Sequence, residues 1–229
     1  MNLPGPDPRA RYAAAYWKET IGKIVSFVEG RELPSVSLLS QQNRDPFRVL
    51  VSTMISLRTK DEVTIEASRR LFDAASDAAS MAALSADKIA DLIYPAGFYR
   101  TKGNNIRKAA EIIRDRWNGI VPDREEDLLS LPGVGRKTAN LTLSIGYGID
   151  AICVDTHVHR ISNRMGWVET KTPEETEFAL MEILPRKYWI PINETLVLFG
   201  QSCCTPISPW CGRCPVSSVC GKRGVGKSR

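Results

Sequence analysis

Leu131-Pro132-Gly133-Val134-Gly135-Arg136-Lys137-Thr138-Ala139-Asn140 is the stretch that decides how this chain folds. It follows a segment of helical character over about 124–130 and opens another over about 135–147, so it reads as the turn of a helix–hairpin–helix. Two glycines one residue apart let the backbone turn sharply and approach a partner closely, exposing N–H groups at a helix N-terminus where a phosphate is well received. A plain glycine turn between two helices would read the same for an isolated Gly-x-Gly. With the whole string in view, Gly133, Val134 and Gly135 are candidates for contacts with a sugar–phosphate backbone, which position a protein without reading base sequence.

Lys137 falls in the first turn of the second helix. There the positive end of the helix dipole disfavours an ammonium, tends to lower the amine's pKa and favours the nucleophilic neutral form. A solvated cation binding phosphate would occupy the same place. Further along, Val154-Asp155-Thr156-His157-Val158-His159-Arg160 opens another helix, with Asp155 as its capping carboxylate. Capping alone accounts for an Asp there. Set beside Lys137, Asp155 supplies the second part needed for covalent chemistry, a carboxylate to handle the proton of an attacking amine. His157 and His159 stand two apart on a helix and do not share a face, so they do not form a joint metal site and are assigned structural or DNA-contacting roles.

Outward from these motifs the hydrophobic positions keep a helical period. Phe47, Leu50, Val51, Met54 and Ile55 form one buried stripe behind an Asp45-Pro46 start. Ile106, Ala109, Ala110, Ile113 and Trp117 form another, with Gly119 just past its end. Further starts stand at Ser85, at Asp123 with Glu126 three residues on, and at Thr172-Pro173 with Glu175. Alternating strand-like stretches are absent. The expected class is all-α, about ten short helices with short polar connectors, fraying only over 221–229.

A length of 229 residues permits a substantial core, and 43% hydrophobic with 25% charged residues is ordinary globular composition, which excludes disorder and fibrous repeats. A formal charge of +5 permits a polyanionic partner without demanding one. Met1–Pro6 carries no cationic stretch ahead of an apolar core and no apolar run is long enough to span a bilayer, so the expectation is a soluble cytoplasmic protein with no membrane partner.

Six cysteines in such a chain read as thiols or metal ligands. Cys204, Cys211, Cys214 and Cys220 follow the pattern C-x6-C-x2-C-x5-C, a compact loop able to wrap four thiolates around one centre. A structural zinc usually shows two short C-x2-C knuckles, and only one is present, so an iron–sulfur cluster is the preferred reading over zinc. Cys203 and Cys153 read as core residues.

The hairpin string, Val154-Asp155-Thr156-His157 and the cysteine tail together resemble the endonuclease III branch of the helix–hairpin–helix DNA glycosylases, in that family's order and spacing, over roughly Pro46 to Cys220. The resemblance implies a six-helix barrel domain carrying the hairpin (39–149) and a second helical domain (1–38 and 150–229) carrying a 4Fe-4S cluster, with the active-site cleft between them. It implies a monomeric, nucleoid-associated, bifunctional glycosylase/AP lyase acting on double-stranded DNA that contains oxidised pyrimidines or abasic sites. Lys137 would attack C1′, expel the base and form a Schiff base that β-elimination resolves, with Asp155 activating the lysine. Two loops, Ser56–Thr59 and Gly97–Tyr99, would fill the gap left by the extruded nucleotide, with Arg58 and Phe98 as the reaching side chains and His157 as a further DNA contact.

Two departures from the bacterial pattern matter. Arg58 stands where many relatives have glutamine, which bears on the opposite base. The loop Thr205–Trp210 has no basic residue, so the phosphate contact that relatives often make there is either missing or supplied by Arg160, Arg164 or Lys222. The alternatives are a monofunctional thymine-mismatch glycosylase on the same fold, and a DNA-binding iron–sulfur redox protein in which the cluster is the functional centre.

Overall fold

The computed structural model describes residues 13–42 and 44–229, and among these there are helices and turns but no strand; Met1–Pro6 lies outside them. The α-helices run α1 (Ala14–Val28), α2 (Ser35–Gln42), α3 (Pro46–Ser56), α4 (Asp61–Ala74), α5 (Ala78–Ala83), α6 (Ala86–Ile93), α7 (Tyr99–Trp117), α8 (Glu125–Leu129), α9 (Arg136–Leu141), α10 (Thr156–Met165), α11 (Pro173–Ile183) and α12 (Ile192–Ser202). Two compact units contain them: Pro34–Ala151, and the residues up to Leu33 together with Ile152–Arg229. The first is a few residues wider at each end than the expected 39–149.

In the Pro34–Ala151 unit, α3 starts as its sequence dictates. Asp45 caps it, accepting from the Phe47 N–H at 2.9 Å, and Pro46 takes the first helical position. Phe47, Leu50, Val51, Met54 and Ile55 are buried, but so are Val49, Ser52 and Thr53, so α3 is enclosed on most sides rather than along one stripe. Thr53 meets this by donating to the Val49 carbonyl at 2.7 Å. Along α7, Ile106, Ala109, Ala110 and Ile113 are buried and Trp117 is half-buried, and the helix stops where Asn118 and Gly119 turn left-handed (φ 52° and 82°).

The hairpin helices differ in detail from expectation. α8 is preceded by Arg124 in the cap position, not Asp123, and opens on Glu125, Glu126 and Asp127, whose charges suit a helix N-terminus. The helix expected over about 135–147 is α-helical only to Leu141. From Thr142 to Tyr147 it widens into a π-helical turn. Thr142 donates to the Thr138 carbonyl (2.9 Å) and Ser144 to the Asn140 carbonyl (2.6 Å), the kind of back-bonding that perturbs an α-helical ladder.

In the other unit, α1, α10, α11 and α12 surround Trp17, Trp167, Leu196 and Phe199, with the two indoles 5.1 Å apart. Thr172 caps α11 by accepting from Glu175 N (3.1 Å), while Glu175 reaches back to Lys171 N (2.8 Å). The C-terminal segment is tied down rather than frayed. Gly221 N donates to Met165 O (3.3 Å), Arg223 N to Arg164 O (3.1 Å) and Arg229 N to Pro209 O (2.8 Å). Among the described residues no helix is long and apolar enough to cross a membrane.

Candidate functional site

The hairpin turn is built by its glycines. Gly133 is left-handed (φ 76°), and a Cβ there would lie 2.7 Å from the Asn105 side-chain nitrogen, so neither the backbone angle nor the space admits another residue easily. Val134 is buried and its N–H donates within the turn to Leu131 O at 3.2 Å, so it anchors the loop rather than offering a donor. Gly135 caps α9 with open space beside its Cα. Arg136 binds Glu125 at 2.9 Å, tying α9 to α8, and the half-buried Lys137 is the second residue of α9.

Asp155 caps α10, its Oδ1 accepting from the N–H groups of His157 (2.8 Å) and Val158 (2.9 Å). The His157 ring packs over the bare Cα of Gly200, and its Nδ1 lies 3.1 Å from the Arg160 guanidinium. His159 is held by Thr176 (2.7 Å) in a network with Asn163 and Thr170.

The two loops singled out from sequence come together within the Pro34–Ala151 unit. Arg58 and Phe98 are both left-handed (φ 54° and 58°), and the Arg58 guanidinium lies 5.4 Å from the centre of the Phe98 ring. Phe98 is 63% exposed, which removes it from the core.

Cys204, Cys211, Cys214 and Cys220 line one cavity, walled also by apolar side chains such as Met165, Phe199 and Trp210. Among the described residues no three His, Cys, Asp or Glu side chains gather as a single metal ion would require. A zinc ion draws its sulfurs to about 2.3 Å from one point, whereas a polynuclear cluster holds its ligands apart around itself. Four thiols lining one cavity form a donor set that could hold a metal centre. Burial raises the Cys204 thiol and pushes Cys220 up to about 11. Cys203 is core, as expected, and its thiol donates to the Trp210 carbonyl at 3.6 Å.

Arg160 and Arg164 hold this loop. Arg160 donates to Cys204 O (2.9 Å) and Gly200 O (3.3 Å), and Arg164 to Thr205 O and Pro206 O (both 2.7 Å), with Cys204 Sγ 3.6 Å away. Lys222 N approaches Cys220 Sγ at 3.4 Å. Arg229 Nε donates to Ser208 O at 3.1 Å, bringing a cation to a loop that has none in its own sequence.

Residues 51–186 match the HhH-GPD superfamily of base excision DNA repair proteins. The chain belongs to that superfamily. Its relatives include an endonuclease III of Thermotoga maritima, 47% identical over 83% of this chain and 91% of the relative. Another is the endonuclease III-like protein 1 of Bos taurus, 39% identical over 89% of this chain and 70% of the relative. A solved endonuclease III trapped as a covalent intermediate with DNA superimposes with a TM-score of 0.78 at 32% identity, covering 89% of this chain and 94% of that one.

This HhH-GPD protein is thus a DNA glycosylase and AP lyase of base excision repair, of the endonuclease III type and all-α as its sequence implied. One buried cation had no signal in the sequence. Lys102 is buried at 8% exposure and bonded to the Ser56–Thr59 loop. Its place in the first turn of α7 marks it only as a helical lysine, and nothing local shows that its amine points inward.

Proposed function

We propose that this HhH-GPD enzyme removes oxidised pyrimidines from double-stranded DNA and cleaves 3′ to the resulting abasic site through Lys137. The observation that carries the reading is the placement of Lys137 as second residue of α9, directly after a Gly133–Gly135 turn suited to a phosphate. The neutral amine attacks C1′ and the bond from C1′ to the base breaks, its electron pair leaving with the base, which takes up a proton. Opening of the sugar gives the Schiff base. Loss of a C2′ proton then expels the 3′ phosphate, and water releases Lys137. Asp155 accepts the proton that frees the amine and stabilises positive charge developing on the sugar.

Arg58 and Phe98 enter the duplex where the nucleotide has left, and His157 adds a contact to DNA. Cys204, Cys211, Cys214 and Cys220 hold a 4Fe-4S cluster, which organises the loop around them and takes no part in the chemistry.

Borohydride trapping tests the reading. With a duplex carrying thymine glycol or an abasic site, wild-type protein is expected to give a covalent protein–DNA band on a denaturing gel, and Lys137→Ala none. Absence of the band in the wild type, with DNA binding intact, would favour a monofunctional mismatch glycosylase or a redox role for the cluster.

A further inference from the structure

Lys102 lies in the first turn of α7 and is 8% exposed. Its ammonium donates to Ile55 O (2.6 Å), Leu57 O (2.5 Å) and Thr59 Oγ1 (2.9 Å), three protons for three oxygens of one short segment. Ile55 O belongs to the last turn of α3, where a cation answers the negative end of the helix. Thr59 Oγ1 also accepts from Gly97 N at 3.1 Å, so the bonding continues from the lysine through the first loop into the second. The two backbones come so close there that a Cβ on Gly97 would lie 2.4 Å from Arg58 O.

At the outer end of this assembly stand Arg58 and Phe98, both non-glycine residues in left-handed conformation, stacked cation over ring. Such backbone angles persist only where the surroundings over-determine them, and here the surroundings are Lys102, Thr59 and Gly97. Burial lowers the Lys102 pKa to about 8. Without the ammonium, the Ile55 and Leu57 carbonyls and the Thr59 hydroxyl would each lose a donor, so this one side chain ties the end of α3 and the loop after it to α7.

We propose that Lys102 is a positioning residue that fixes Arg58 and Phe98 at the angle needed to fill the gap beside an extruded nucleotide. The assignment rests on the base-excision reading above and on the role given there to the two loops. Lys102, 8% exposed, acts through the two loops rather than on the DNA.

The test compares binding of the full-length protein to two duplexes of one sequence, undamaged and carrying a tetrahydrofuran abasic analogue. Lys102→Met is expected to lose about tenfold or more in affinity for the analogue duplex while binding of the undamaged duplex stays within about twofold. Lys102→Arg, which keeps a cation, should recover part of the loss. Combined with Phe98→Ala, Lys102→Met should add little, because both remove the same wedge.

Retention of the wild-type preference in Lys102→Met, or equal weakening on both duplexes, overturns the inference. Should Lys102→Met fail to fold, Thr59→Val removes one acceptor and the link to Gly97. A loss of about threefold or more on the analogue duplex alone then supports the proposal, and an unchanged preference overturns it. A wild-type protein with no preference for the analogue overturns the base-excision reading and this inference with it. A wild-type preference that survives in the variants overturns the inference alone.

Discussion

Asp155 carries two assignments at once, and substitution separates them. As a cap it accepts two backbone N–H groups; as a proton acceptor it must be a carboxylate. Asparagine caps nearly as well but takes up no proton. Asp155→Asn should therefore melt within a few tenths of a kcal/mol of the wild type in a denaturant titration, while single-turnover base release falls about 100-fold or more. Asp155→Ala should lose about 1 kcal/mol of stability as well. Activity that falls only in step with stability would reduce Asp155 to a cap. Its capping role was legible in the sequence because a cap is a local pattern of neighbours. Lys102 was not, because its three acceptors lie 43 to 47 residues away along the chain, and only packing brings them to its amine.

Among the elements, α10 does the most with the fewest residues. Arg160 and Arg164 fall four apart on one face of it and hold the backbone from Gly200 to Pro206, the approach to the cysteine loop. Arg164→Ala should leave the far-ultraviolet circular dichroism unchanged and, with the proposed cluster bound, make the visible absorbance decay a few-fold faster in air. An unchanged decay would mean that the cysteines alone secure the loop. Helix starts at Asp45, Ser85 and Thr172 were readable from caps that bond within three residues. The π-helical turn after α9 was not, because it depends on whether Thr142 and Ser144 turn their hydroxyls back to the helix, a choice their burial forces. The anchored C-terminus escaped notice for a related reason: its partners, Arg164, Met165 and Pro209, are carbonyls of distant segments.

For the molecule as a whole the relevant quantity is a modest positive charge, +5 over 229 residues. Binding to undamaged duplex should consequently be mainly counterion release, weakening by at least about tenfold between 50 and 200 mM salt. Titrations at several salt concentrations measure this, and a flat profile would argue against phosphate contacts at the hairpin.

Within the two compact units, helical period marked the apolar stripes of α3 and α7 that are buried, since an apolar face has nowhere else to go in water, but not Val49, Ser52 and Thr53, which only the packing around α3 encloses. The hairpin string, the Asp155 cap and the cysteine spacing were likewise complete in the sequence, each being a short pattern whose geometry the local backbone enforces. Which polar groups those cores enclose was decided only in three dimensions. The ammonium of Lys102 against Ile55, Leu57 and Thr59 and the guanidinium of Arg164 on the loop after Cys204 both depend on segments far apart in the chain. A buried polar group is tolerated only where folding delivers its partners, and no local pattern announces that.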